Sequence, residues 1–223
     1  MDFRHEWKHE VAPSDLVALR ARLRVILRLD AHTVNGKYTV RSLYLDNRMD
    51  KALREKIDGV DCREKFRVRY YNGDTSWILL EKKSKIRGFC RKEQAELTPE
   101  EVQDVLHAEA QRLAASGKPL LRELGVKMTV QGLRPKTIVD YTREPFVYDP
   151  GNVRVTLDYD IRTGLTSTDF LNPRSLTIPA RDAPIILEVK WDTFLPSVIR
   201  DLVQVPSIHT SAFSKYAACR IYG

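Results

Sequence analysis

Residues 64–71 read EKFRVRYY. In an extended strand successive side chains point to opposite faces, so Phe66, Val68 and Tyr70 fall on one side and Arg67, Arg69 and Tyr71 on the other. Such a strand belongs to a sheet that buries its first face. What meets the second face, with its two arginines, decides what the protein does.

The split recurs along the chain. In FRHEWKHEV (3–11), Arg4, Glu6, Lys8 and Glu10 oppose Phe3, His5, Trp7, His9 and Val11. In VRVTLDYDI (153–161), Arg154, Thr156, Asp158 and Asp160 oppose Val153, Val155, Leu157, Tyr159 and Ile161. Glu188 and Lys190 fall together against Leu187, Val189 and Trp191, and Glu81 lies in step with Lys83. Strands are expected at 3–11, 38–46, 64–71, 76–84, 88–97, 134–142, 145–148, 153–161 and 185–191. Turn residues such as NGD (72–74) and DPGN (149–152) join them as antiparallel neighbours.

Helical signals are fewer. Leu16, Leu19, Leu23, Ile26 and Leu27 mark an amphipathic helix opened by Pro13-Ser14-Asp15, and a shorter helix is expected over 47–57. TPEEVQDVLHAEAQRLAASG (98–117) reads as one helix, with Thr98 as N-cap, Pro99 in the first turn, Glu101 completing a capping box and Gly117 as the stop. Short helices are expected at 119–125, 197–204 and 211–220.

The fold class that follows is α+β, a closed antiparallel β-barrel of about eight strands with flanking helices, forming a single domain over 1–223. Amphipathic helices need apolar surfaces, so they cover the barrel from outside and the charged strand faces line its interior. An interior of arginine and lysine is costly alone: two like charges about 7 Å apart repel by roughly 2 kcal/mol at an effective dielectric near 20. It calls for a polyanion, or a metal-bound phosphate chain, inside.

Composition agrees with that and excludes other classes. The 223 residues carry 37 Lys+Arg against 30 Asp+Glu, a net charge of +7, which favours anionic partners. Cys62, Cys90 and Cys219 form no CxxC pair and no metal-ligand spacing with histidine, which suits a reducing, cytoplasmic setting. No apolar run approaches the roughly 20 residues of a membrane span, and no leader-like apolar region opens the chain. A phosphate-cradling GxxxxGK[ST] loop, a GxGxxG turn and a serine-hydrolase elbow are all missing. Nucleic acid is disfavoured because the arginines are spread over many strands and no RNP-like aromatic pattern occurs. The five histidines show no ligand spacing, and Trp7, Trp77 and Trp191 are expected in the core.

RHEWK (4–8), VRSLYLDN (40–47), FRVRYY (66–71), LEKKSK (80–85), LRPKTIVDYTREPF (133–146), NVRVTLD (152–158), LEVKW (187–191) and FSKY (213–216) carry a resemblance. In that order they resemble the catalytic domain of the vacuolar transporter chaperone (VTC) complex, the polyphosphate polymerase branch of the triphosphate tunnel metalloenzymes. The resemblance implies a tunnel that binds the phosphate tail of ATP with Mn²⁺ or Mg²⁺ and moves the γ-phosphoryl group onto a polyphosphate end. By position, Lys8, Arg67, Arg69, Lys83, Arg143, Arg154 and Lys215 would be phosphate ligands, Ser214 a neighbouring hydroxyl ligand and Glu188 the metal carboxylate. Arg91 or Lys92 would face inward from the fifth strand, with Arg91 preferred. The superfamily's ExExK signature on the first strand is reduced here to Glu6 before Lys8, because Arg4 takes the first position. That leaves Glu6 as either a second metal ligand or a salt-bridge partner, and the salt-bridge role is favoured for Glu81.

The residue types suit the chemistry. Phosphoryl transfer asks a protein to hold donor and acceptor in line and to neutralise oxygen charge, and arginine forks grip phosphate in pairs of bonds. A polyphosphate end is already ionised, so no general base is required. Two other readings stand beside the polymerase: a triphosphatase on the same fold, and a basic module that binds polyanions without turnover. The chain begins beside its first strand and ends soon after FSKY, so a free-standing soluble enzyme without a regulatory domain is expected.

Overall fold

The computed structural model describes residues 4–87, 89–206 and 209–220. Phe3 and Gly88, the outer limits of two expected strands, lie outside them. The first strands are β1 (His5–Val11), β2 (Arg28–Leu29), β3 (Tyr38–Asp46), β4 (Arg63–Tyr71), β5 (Asp74–Ile86) and β6 (Phe89–Leu97). They are followed by β7 (Arg134–Tyr148), β8 (Val153–Thr163), β9 (Ile178–Pro179), β10 (Ile185–Trp191) and β11 (His209–Thr210). The helices are α1 (Pro13–Ile26), α2 (Lys51–Ile57), α3 (Pro99–Leu106), α4 (Ala110–Ala114), α5 (Pro119–Gln131), α6 (Ser197–Leu202) and α7 (Lys215–Arg220).

Among the described residues the strands hydrogen-bond into an 11-stranded sheet in the order β11-β1-β10-β8-β7-β3-β4-β5-β6, with β2 on β7 and β9 on β8. The ladder is antiparallel and open: β11 and β6 end it without pairing. This corrects the expected closed barrel of about eight strands. Face alternation has the same period in an open and a closed sheet, so it carries no information about whether the last strand meets the first.

The chain divides into two compact units. Unit 1 comprises Met1–Thr39, Tyr141–Ile161 and Arg181–Phe213. Its core packs Val11 of β1, Val153, Val155 and Leu157 of β8, and Leu187 and Val189 of β10 against Leu19 and Leu23 of α1 and Ile199 of α6. Unit 2 comprises Val40–Asp140, Arg162–Ala180 and Ser214–Gly223. Here Phe66, Val68 and Tyr70 of the EKFRVRYY strand meet Val102 and Val105 of α3, Leu113 of α4, and Leu121, Leu124 and Met128 of α5. Burying each such side chain contributes about 1.5–3 kcal/mol. In both units the apolar strand face is the one the alternation assigned to the core, so the charged face lies on the other side.

Three expected elements change. The single helix over 98–117 is two, because Ala108 takes the left-handed conformation at φ 55° and ends α3 after the expected Thr98–Glu101 capping box. The break turns α4 onto α5, where a Cβ on Gly125 would collide with the Ala114 backbone. Strand β7 runs unbroken through Pro145 as one strand rather than two. Of the tryptophans, Trp191 is 9% exposed, whereas Trp7 is 37% and Trp77 47% exposed. These two pack ring against ring, Trp7 on Trp191 with centroids 4.8 Å apart and Trp77 on Tyr71 at 6.1 Å.

No helix among the described residues is long and apolar enough to cross a membrane.

Candidate functional site

In unit 2 the non-core face of β3-β4-β5-β6 gathers four of the expected phosphate ligands. The register sets Lys65 opposite Lys83 and Lys83 opposite Lys92, a row of three lysines across adjacent strands. The next row places Tyr44 beside Arg67 and Arg67 beside Glu81. Glu81 is 2% exposed and accepts from Arg67 Nε at 2.7 Å, with Lys92 Nζ at 2.5 Å and Arg69 Nη1 at 3.6 Å. Burial works against its charge, but Arg67, Arg69 and Lys92 outweigh that and hold the carboxyl well below the usual carboxylate range. Glu81 is thus the salt-bridge partner that keeps three cations side by side. Arg69 also donates from Nε to Ser42 Oγ at 2.9 Å.

Of the two residues left open on β6, Lys92 joins this group and the preferred Arg91 does not. Arg91 stands opposite Ser84, on the face that carries Phe66 and Lys82, and its Nη2 lies 3.1 Å from Glu93. One position of offset along a strand reverses the face.

Tyr44 belongs to the same group and was not singled out in the sequence. Arg67 Nη1 donates to its hydroxyl at 2.8 Å, and Lys65 and Arg67 each lie 5.7 Å from its ring centroid. Burial raises the phenol, but Arg67, Lys65 and Arg69 reverse this and bring it down from 10.0 to about 7. The phenol is depressed in the folded state, so the unfolded chain holds its proton to higher pH and stability rises between about pH 7 and 10. The gain is at most about 1.4 kcal/mol per pH unit. Urea unfolding at several pH values should show that rise in the wild type and lose it in Tyr44→Phe.

FSKY enters unit 2 through Tyr216. Its ring stacks on Tyr44 with centroids 4.8 Å apart, and its hydroxyl donates to Asp46 Oδ2 at 2.7 Å. Burial and then Asp46 push the Tyr216 phenol far up, so it stays a neutral donor. Ser214 accepts from Ala218 N through its carbonyl at 2.9 Å and from Ala217 N through Oγ at 3.4 Å, which caps α7 and places Lys215 at its first residue. Arg41, on the Leu43 face, is a clamp: its guanidinium grips Asp140 with bonds of 2.9 and 2.8 Å and reaches the Asn172 carbonyl at 2.6 Å.

In unit 1 the corresponding face of β1-β10-β8-β7 holds the remaining residues. The register aligns Lys8 with Glu188 and Glu6 with Lys190, then Glu188 with Thr156 and Lys190 with Arg154. Lys8 Nζ lies 2.6 Å from Glu6 and 3.4 Å from Glu188, while Lys190 Nζ lies 2.5 Å from Glu188 and 3.5 Å from Glu6. Two carboxylates and two ammonium groups therefore form one square. Burial lowers the Lys8 ammonium, but Glu188 and Glu6 together outweigh it and raise it above the usual range. Arg143 grips Asp158 through two parallel bonds, Nε to Oδ1 at 2.6 Å and Nη2 to Oδ2 at 2.7 Å. Arg154 donates to the Tyr38 hydroxyl at 2.9 Å and lies 3.1 Å from Asp30.

Among the described residues no cluster of three or more His, Cys, Asp or Glu side chains could hold a metal. The donors present in unit 1 suit a hard cation that keeps several waters and takes one or two carboxylates. Glu188 and Glu6 supply those, and the neighbouring Thr156 hydroxyl is buried with no partner.

Sequence reasoning left out Lys65, Tyr44, Asp158, Lys190 and Thr156 as members of these groups. Four of them share strand parity with a residue it chose, Lys65 standing two places before Arg67 in the opening octet, whereas Tyr44 lies on β3, where none was chosen.

The class defined by these two units is an antiparallel α+β fold whose strands turn an apolar face to a core and carry interleaved cations and carboxylates on the other face. A candidate adenylate cyclase from Bacillus halodurans has a similar fold: TM-score 0.53 and 14% identity, covering 92% of this chain and 93% of that one. The PH1819 protein from Pyrococcus horikoshii aligns with TM-score 0.48 and 14% identity over 93% of each chain. No curated protein matches the sequence. The chain belongs to the VTC domain family, whose model matches residues 3–221.

Proposed function

We propose that this protein is a metal-dependent polyphosphate polymerase that transfers the γ-phosphoryl group of ATP to the end of a polyphosphate chain and releases ADP. The observation that carries the reading is the VTC-domain match along residues 3–221. The cation-bearing faces support it without choosing among phosphate substrates.

In this reading Arg67, Arg69, Lys83 and Lys92 in unit 2, and Lys8, Arg143 and Arg154 in unit 1, bind phosphate oxygens, with Ser214 and Lys215 adding contacts at the start of α7. Glu81 and Asp158 hold their arginines in fixed orientation before substrate arrives, so little reorganisation is needed as charge shifts during transfer. Glu188 and Glu6 would hold Mn²⁺ or Mg²⁺, whose chemistry there would be to neutralise phosphate charge. Lys8 and Lys190, which pair with those carboxylates, would add positive charge beside the phosphates. The acceptor is an already ionised phosphate oxygen, so no side chain has to remove a proton. ATP and polyphosphate are the partners, in the cytoplasm.

Purified protein incubated with γ-labelled ATP and Mn²⁺ should build label into products of increasing length on a sizing gel. Orthophosphate release without lengthening would indicate a triphosphatase, and label left entirely in ATP a binding module. Lys92→Ala should weaken binding of inorganic triphosphate about tenfold, as loss of one charge-assisted contact does. Arg91→Ala should leave it unchanged, and titration calorimetry separates the two.

A further inference from the structure

We propose that the Thr156 hydroxyl is a third oxygen ligand of the divalent cation held by Glu188 and Glu6; this rests on the reading of Glu188 as the metal carboxylate.

Thr156 is 2% exposed, and its Oγ1 is buried with no hydrogen-bond partner. A hydroxyl in that state forgoes its bonds to water and receives nothing in exchange, so such groups are uncommon and call for an explanation. Packing does not provide one. Its neighbours Val155 and Leu157 point into the apolar core of unit 1, while Thr156 lies on the opposite face with Arg154 and Asp158. Valine has the same shape without the cost, and β8 already uses it at Val153 and Val155.

Position supplies the explanation. The register sets Thr156 directly beside Glu188 on β10, and Glu188 directly beside Lys8 on β1. The Glu6–Lys8–Glu188–Lys190 square therefore has Thr156 at its edge. Both ammonium groups of the square are occupied by carboxylates, whereas the hydroxyl is not. A threonine oxygen is a hard, neutral donor, well suited to Mg²⁺ or Mn²⁺ as an addition to carboxylates that are few in number. It adds a ligand without adding negative charge beside the phosphates that the same cation must hold.

The test is Mn²⁺ binding by the purified full chain, followed by electron paramagnetic resonance without nucleotide, together with thermal unfolding of the metal-free protein. Thr156→Val should weaken Mn²⁺ binding about tenfold or more, comparable to loss of a supporting ligand interaction. It should also raise the metal-free Tm by a few degrees, because an unpartnered hydroxyl is removed at constant shape. Thr156→Ser should restore Mn²⁺ affinity. A purely structural threonine would move the Tm and leave the metal affinity untouched, which would overturn the proposal. Glu188→Gln separates the two levels. If it abolishes Mn²⁺ binding while Thr156→Val does not, only the Thr156 assignment fails. If neither variant changes Mn²⁺ binding, or the wild type binds none, the metal reading of Glu188 fails with it.

Discussion

Glu188→Gln is expected to lower metal-dependent turnover by about 100- to 1000-fold, the range seen when one preorganised electrostatic contact to a transition state is removed. Polyphosphate binding should stay largely intact. Glu188 is 6% exposed, with Lys190 Nζ at 2.5 Å and Lys8 Nζ at 3.4 Å. The substitution keeps the shape but removes the charge that would hold the cation. Both lysines retain Glu6 as a partner, at 2.6 Å from Lys8 and 3.5 Å from Lys190, so the fold does not inherit two uncompensated ammonium groups. With one carboxylate fewer, the site is more positive and its attraction for polyanions is undiminished. The decisive comparison is the rate of label transfer from γ-labelled ATP against retention of polyphosphate in a filter-binding assay. Turnover at the wild-type rate in Glu188→Gln would remove Glu188 from the chemistry, and joint loss of turnover and binding would make it a structural residue.

Asp158→Ala should destabilise the protein by about 3–5 kcal/mol, the usual cost of breaking a buried ion pair from one side. For a chain of this size that is a Tm fall of roughly 6–20 °C. Asp158 is 0% exposed, and both of its oxygens accept from the Arg143 fork. Burial lowers the Arg143 guanidinium, but Asp158 outweighs it and keeps it charged. Removing the carboxylate strands that charge away from water. The paired variant Arg143→Met with Asp158→Leu should recover much of the loss, since an apolar pair of similar volume replaces the buried ions without stranding either. Calorimetry gives the stabilities, and activity gives the second half of the answer. The double variant should fold and yet fail to extend polyphosphate, because the arginine proposed to hold phosphate is gone. A double variant that folds and remains active would leave Arg143 with a structural role alone.

The alternation in EKFRVRYY made most of the two faces legible. It separates Phe66, Val68 and Tyr70, all at most 1% exposed, from Arg67 and Arg69, and the same rule sorted β1, β8 and β10 correctly. The capping box at Thr98 was readable because its partners are three residues apart. The break at Ala108 was not, because nothing local demands it. It arises where α4 has to lie against α5, close enough that Gly125 tolerates no side chain.

Pairing across strands was the harder part. Parity put Thr156, Glu188, Lys190 and Lys8 on non-core faces, but only the register of β1, β10 and β8 made them neighbours. The resemblance left both Arg91 and Lys92 open, and the pairing of Lys83 with Lys92 shows which stands with Glu81. Side-chain direction is set by the local backbone, which each strand carries in its own residues. Adjacency and closure of the sheet depend on hydrogen bonds between segments far apart in the chain, and a two-residue period is silent about them. Local order therefore decided which side chains face away from the core, and the packed fold alone decided which of them meet.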